Sequence, residues 1–199
     1  MPEFHELRST LKRTVEPAIE PVSVSLFKLH ARLGDCADED LIYERYLKHG
    51  RSMVETDLQR ALITQTWQLQ MDRFPCWEIE ARICPLMSVT GIVYVAADGT
   101  STTIPASDYI VNTASEPGRI VPSYGKTWPV ARCQENAVTV TFTAGYGPTA
   151  ATVPEIACQA IRLVAAEDVI SREAVGTLVD AALHNYTLLI DRLRWAGYR

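Results

Sequence analysis

The stretch "PSYGKTW" contains Gly125-Lys126-Thr127, the residues that close a phosphate-binding loop. There, backbone N–H groups cradle phosphate, a lysine neutralises charge and a hydroxyl reaches a metal ion. Such a loop also needs a glycine five residues before Gly125, where Ile120 stands, and Trp128-Pro129 is a poor start for the helix that should follow. The stretch reads as a structural loop. His5, His30, His49 and His184 show no HxxxH or HxH spacing, and Cys36, Cys76, Cys84, Cys133 and Cys158 contain no CxxC pair. A zinc site would have to be assembled wholly from distant residues. No GxSxG is present, and no cysteine has a local context that marks a nucleophile. Asp38-Glu39-Asp40 could ligate a metal, but carboxylates also suit the positive end of a helix, and that explanation needs no metal. The expectation is a protein that is not an enzyme, with no catalytic residue, cofactor or metal.

Two groups suit contact rather than chemistry. Trp67, Trp77 and Trp128 could stack on bases, but only Arg73, Lys126 and Arg132 lie nearby in sequence, so core or interface packing is the better reading. "LIDRLRWAGYR" puts Arg192, Arg194, Trp195, Tyr198 and Arg199 at the chain end. Arginine and aromatic residues are enriched at protein interfaces, while a frayed basic end would have the same composition.

Charge narrows the classes. With 24 acidic against 19 basic residues the formal net charge is −5, which argues against broad electrostatic binding to nucleic acid but not against conducting DNA. No stretch approaches the roughly 20 apolar residues that span a bilayer. The start, "MPEFHELRSTLKRTVEP", has no apolar core of a signal peptide. An odd number of cysteines reads as reduced thiols in a cytoplasmically made protein.

Periodicity places these groups on elements. Residues 1–24 read as a mobile or partner-dependent N-terminal arm. Ser25 is positioned to cap "LFKLHARL", with Leu26, Leu29 and Leu33 as its buried stripe and Gly34 as its stop. Beyond the acids at 35–40, Tyr43, Leu47, Gly50, Val54, Leu58 and Ala61 recur at steps of three and four, which predicts a long helix. In "TQTWQLQMDRF" the period switches from 3.6 to 2: Trp67, Leu69 and Met71 alternate with polar residues, which puts them on one face of a strand.

"SVTGIVYV", a turn at Asp98-Gly99, "STTIP", "DYIVN", "GRIVP" and "AVTVTFTAGYG" extend the strand region, and the loop before the last of them is expected to project. Helix returns at Thr152, which has capping-box spacing to Glu155, with Ile156, Ala160, Val164 and Val169 on the buried side. A break near Gly176 precedes a last helix that buries Val179, Leu183, Tyr186, Ile190 and Leu193. The fold class is therefore α+β. Residues 25–63 and 152–195 form a helical bundle, 64–147 an inserted antiparallel β-rich module, and 196–199 a C-terminal tail.

Read in order, "VSLFKLHARLGDCADEDLIYERYLKHGRSMVE" (24–55), "RALITQTW" (60–67), "PLMSVTGIVYVAADGT" (85–100), "PGRIVPSYGKTWP" (117–129), "NAVTVTFTAGYG" (136–147) and "VPEIACQAI" (153–161) resemble the head–tail connector, or adaptor, proteins of tailed bacteriophages and prophages. The resemblance spans most of residues 22–175. It implies a structural head-completion protein made in the bacterial host cytoplasm and placed at the virion head–tail junction. It implies a ring of subunits, commonly twelve and possible as monomers in isolation, that joins the portal to a stopper or tail. DNA would pass through the channel without sequence-specific binding, and no membrane is involved. Under this reading Arg192, Arg194, Trp195, Tyr198 and Arg199 would dock on the portal. Tyr124, Lys126, Trp128 and Arg132 would meet a neighbouring subunit or the next tail component. The competing readings are a tail-tube or tail-terminator protein, and an enzyme whose site is assembled from distant residues.

Overall fold

The computed structural model describes residues 8–34, 37–170 and 180–195, with the side chains at 180, 181 and 195 outside that description. The fold is α+β. The described chain divides into two compact units, each built from two stretches of sequence. A β unit joins the residues up to Glu16 with Thr64–Gly145, and a helical unit joins Pro17–Ile63 with the residues from Tyr146 onward.

The β unit holds two antiparallel sheets. The strands are β1 (Ser9–Val15), β2 (Gln65–Met71), β3 (Ile79–Ala81), β4 (Leu86–Val95), β5 (Ser101–Ile104), β6 (Tyr109–Asn112), β7 (Gly118–Pro122) and β8 (Val138–Ala144). The larger sheet runs β1-β2-β8-β4-β5 and the smaller β3-β7-β6. In β8, Val138, Val140, Phe142 and Ala144 are buried while the threonines between them are half-buried, the alternation expected of a strand with one face on a core. β2 pairs with it along its whole length, Gln65 opposite Ala144 and Met71 opposite Val138. The period switch at Trp67–Met71 is a strand in the structure, with Leu69 and Met71 buried and Trp67 half-buried. The register of β4 against β8 slips near Met87 and near Thr90, which interrupts an otherwise regular ladder.

Two strands have no counterpart in the sequence reading. Residues 9–15, read as part of an arm, form the edge strand β1, with Leu11 opposite Leu69 and Arg13 opposite Trp67. β1 carries Lys12 and Arg13, and charged side chains are a common feature of edge strands because they discourage pairing with other chains. That composition is what made the segment look unstructured. β3 is three residues long, too short for a period to show.

The helical unit contains α1 (Val24–Ala31), α2 (Asp40–Leu58), α3 (Glu155–Ile170) and α4 (Asp180–Trp195). Its core gathers Phe27, Tyr43, Leu47, Val54, Ala160, Ile161, Val164, Tyr186, Ile190 and Leu193, among others. Gly50 lets α2 approach α3 closely: a Cβ there would lie 2.9 Å from the Ile161 carbonyl oxygen. α2 ends where Gln59 turns left-handed and its N–H bonds back to the carbonyls of Glu55 and Thr56.

One buried charge organises this unit. Arg51 is 1% exposed. Its Nε and Nη2 donate to Glu20 at 2.7 and 3.2 Å, and its Nη1 donates to Glu55 at 2.9 Å. The other Glu55 oxygen accepts the Leu62 N–H at 3.0 Å. Burial opposes the guanidinium charge, but the two carboxylates outweigh it and raise its pKa.

Several local expectations are corrected. Ser23, not Ser25, caps α1, its Oγ accepting the Leu26 N–H. The buried face of α1 centres on Phe27, and Leu26 and Leu29 point outward. The acids at 38–40 do stand in helical first turns as expected, but Glu39 makes no side-chain cap to α2: it accepts the Tyr43 hydroxyl, and Asp40 pairs with Lys28. Thr152 lies in a 3-10 turn and donates to the Thr149 carbonyl, so the capping box with Glu155 does not form. Ile156 and Leu183 are exposed rather than buried. Asp35, Cys36, Gly176 and Val179 lie outside the described residues.

Candidate assembly surfaces

The proposed docking residues at the chain end divide by role. Leu193 is buried, and Arg194 donates from Nη2 to the Asp57 carbonyl at 2.7 Å. That oxygen belongs to the last turn of α2, where carbonyls lack partners within the helix. Beside it the Tyr186 hydroxyl donates to Asp57 Oδ2 at 2.6 Å. Burial, then this bond, pushes the phenol pKa far above its ordinary range. Arg194 therefore ties α4 to α2 inside the helical unit. Arg192 is exposed and, with His30, Gln159, Leu163, Asn185 and Leu188, lines a cleft of about 370 Å³. The Trp195 side chain, Tyr198 and Arg199 lie outside the described residues.

The loop after β7 divides in the same way. Tyr124 is fully exposed on a turn closed by the Lys126 N–H to the Ser123 carbonyl, where Gly125 takes a φ of +76°. Lys126 lies 3.5 Å from Asp108. Trp128 does not project: it stacks on Phe74, with centroids 5.2 Å apart and planes 6° apart, and its Nε1 donates to the Trp77 carbonyl at 2.7 Å. The Arg132 N–H bonds to Val95, fastening the loop to β4. Tyr124 thus offers contact surface, while Trp128 and the Arg132 backbone hold the loop. Val130, which the sequence reading passed over, is 85% exposed. Only its place beside Pro129 in a long loop could have marked it. Arg8, Arg73, Arg132, Phe74, Trp128 and Val130 contribute to the wall of an open cleft of about 1050 Å³.

Among the described residues no three His, Cys, Asp or Glu side chains are grouped to hold a metal ion. Cys76 and Cys133 are exposed, and Cys84 and Cys158 are buried. Burial, then the nearby Glu155 charge, raises the Cys158 pKa. No described helix is long and apolar enough to cross a membrane.

Comparison with known structures places this architecture. A chain from the neck of an empty GTA particle, computed with C6 symmetry, superposes with a TM-score of 0.78 over 96% of both chains at 24% identity. The fold is shared with a chain of a particle neck. A chain of the virion of a native gene transfer agent (GTA) particle gives 0.74 at 23% identity, again over 96% of both chains. One from the neck of a native GTA particle, computed with C12 symmetry, gives 0.75 at 22% over the same coverage. No family model matches the chain, and no curated protein matches it.

Proposed function

We propose that this chain is a head–tail connector: a structural, non-catalytic virion protein of the neck. Copies would form a ring, twelve in the assembled particle, between the portal and a stopper or tail component, with DNA passing through the centre. The observation that carries this reading is the full-length fold match, 96% of both chains, to chains from necks with cyclic symmetry. The organisation into a helical bundle and a β module, each with exposed contact residues, is consistent with it. Subunits would be made in the host cytoplasm and stay monomeric until the portal gathers them. Ordering segments on binding costs conformational entropy, and many contacts around a ring raise the effective concentration that offsets it.

The portal-docking set narrows to Arg192 with Trp195, Tyr198 and Arg199, because Arg194 is engaged with Asp57. In the β unit, Tyr124 would contact a neighbouring subunit or the next tail component, on a frame held by Lys126, Trp128 and Arg132. The test is capture by the portal protein in a pull-down. Wild-type chain should bind. Arg192→Glu with residues 196–199 removed should bind at least about tenfold more weakly, a change of roughly 1.4 kcal/mol, with an unchanged melting temperature. Undiminished binding by the variant rejects the docking residues, and failure of the wild type to bind rejects the connector reading.

A further inference from the structure

We propose that the outward face of α1, Leu26 and Leu29, together with Leu41 in the first turn of α2, is a seam on which the next copy of this chain packs. The proposal rests on the ring reading above and assigns residues to it.

α1 is only eight residues long and apolar on two sides. Phe27 is fully buried in the helical core, with Val24 and Ala31 packed on that core. Leu26 and Leu29, three residues apart and so neighbours on one helix face, point the other way at 45% and 78% exposure. Leu41 is 72% exposed and Ile42 beside it is also exposed. The two elements are pinned together. The Lys28 ammonium pairs with Asp40 and lies 5.9 Å from the Tyr43 ring centre, and the Phe27 and Tyr43 rings meet edge-on at 6.0 Å. Leu29 and Leu41 each follow one member of that ion pair in the chain. Isolated exposed leucines are ordinary, but these stand on two elements that the Lys28–Asp40 pair and the Phe27–Tyr43 contact hold to one another.

Arg32 and Asp38, both exposed, lie between Leu29 and Leu41 in sequence and carry opposite signs. Exposed leucines accompanied by charges of both signs suit a protein partner, whereas a membrane surface would call for basic ones. The occupant is a second copy because a cyclic assembly gives every chain two identical neighbours. Contacts around a ring are heterologous, so the patch meets a different surface of its neighbour. Three side chains fall short of the roughly 800 Å² per partner usual in a stable pair, which fits subunits that associate only when gathered on a portal.

The experiment places a photo-cross-linking amino acid at position 29, or at 41, in chain expressed in the producing host, and recovers assembled particles. The expected product is a cross-link at twice the chain mass of 22.1 kDa, mapped to a surface other than 26–41. Cross-links only to another virion protein, or none although the chain is in the particle, overturn the seam and leave the connector reading standing. Absence of the chain from particles overturns both. A companion variant, Leu29→Glu with Leu41→Glu, should keep its helical circular dichroism and portal affinity as a monomer yet lose at least about tenfold in ring incorporation. Normal incorporation contradicts the seam.

Discussion

In the helical unit the largest fully buried side chain is Arg51, a charge, whereas in the β unit the largest are Phe142, Ile79, Ile92 and Ile120. The difference follows from how each unit fixes its segments. Strand ladders set register by backbone hydrogen bonds, so the β core can be apolar. Helices satisfy their own backbone and leave the irregular segments between them without such a guide. Arg51 supplies one: through Glu20 it holds the segment before α1, and through Glu55 and the Leu62 N–H it holds the turn after α2. A directional side-chain network takes the place of a ladder.

Removing that network should give the largest effect. Arg51→Ala removes the buried cation that joins Glu20 to Glu55 and should cost about 3–5 kcal/mol in urea unfolding. A loss below about 1 kcal/mol would mean that packing alone holds the segments. Gly118→Ala probes the β unit, because its Cβ would fall 2.4 Å from Leu86 Cβ, an overlap that forces one strand to move. A cost of about 1–3 kcal/mol is expected, and a neutral result would show that the sheet adjusts more freely than its ladders suggest.

Tyr186→Phe removes the bond to Asp57 and should cost about 1–3 kcal/mol near neutral pH. The folded pKa of Tyr186 is raised, so the proton is held more tightly in the folded state. Its contribution is full below the unfolded value of about 10 and is lost as pH rises above it. The gap between wild type and variant should therefore narrow in alkaline denaturation, and a constant gap would contradict the bond. The smallest test is chemical: Cys76 and Cys133 should react with a thiol reagent in native protein, and Cys84 and Cys158 only on unfolding.

What the sequence disclosed depended on strength of pattern. β2, β8 and α2 were legible because burial on one side imposed a clear period. β1 was not, since an edge strand bearing Lys12 and Arg13 gains its partner from β2 more than fifty residues on. α1 shows a deeper ambiguity: two apolar faces are visible in the sequence, but nothing local says which one meets the core. Trp128 and Arg194 stand out in the sequence, yet each is held by a carbonyl within its own unit, that of Trp77 for Trp128 and that of Asp57 for Arg194. Those partners are set by tertiary contact and leave no spacing to read.

The most direct test is a cryo-electron-microscopy reconstruction of the neck of particles from the producing host, at a resolution that traces side chains. The account predicts a closed ring of this chain between the portal and the next tail component. A neck without this chain, or this chain found only elsewhere in the particle, would contradict it.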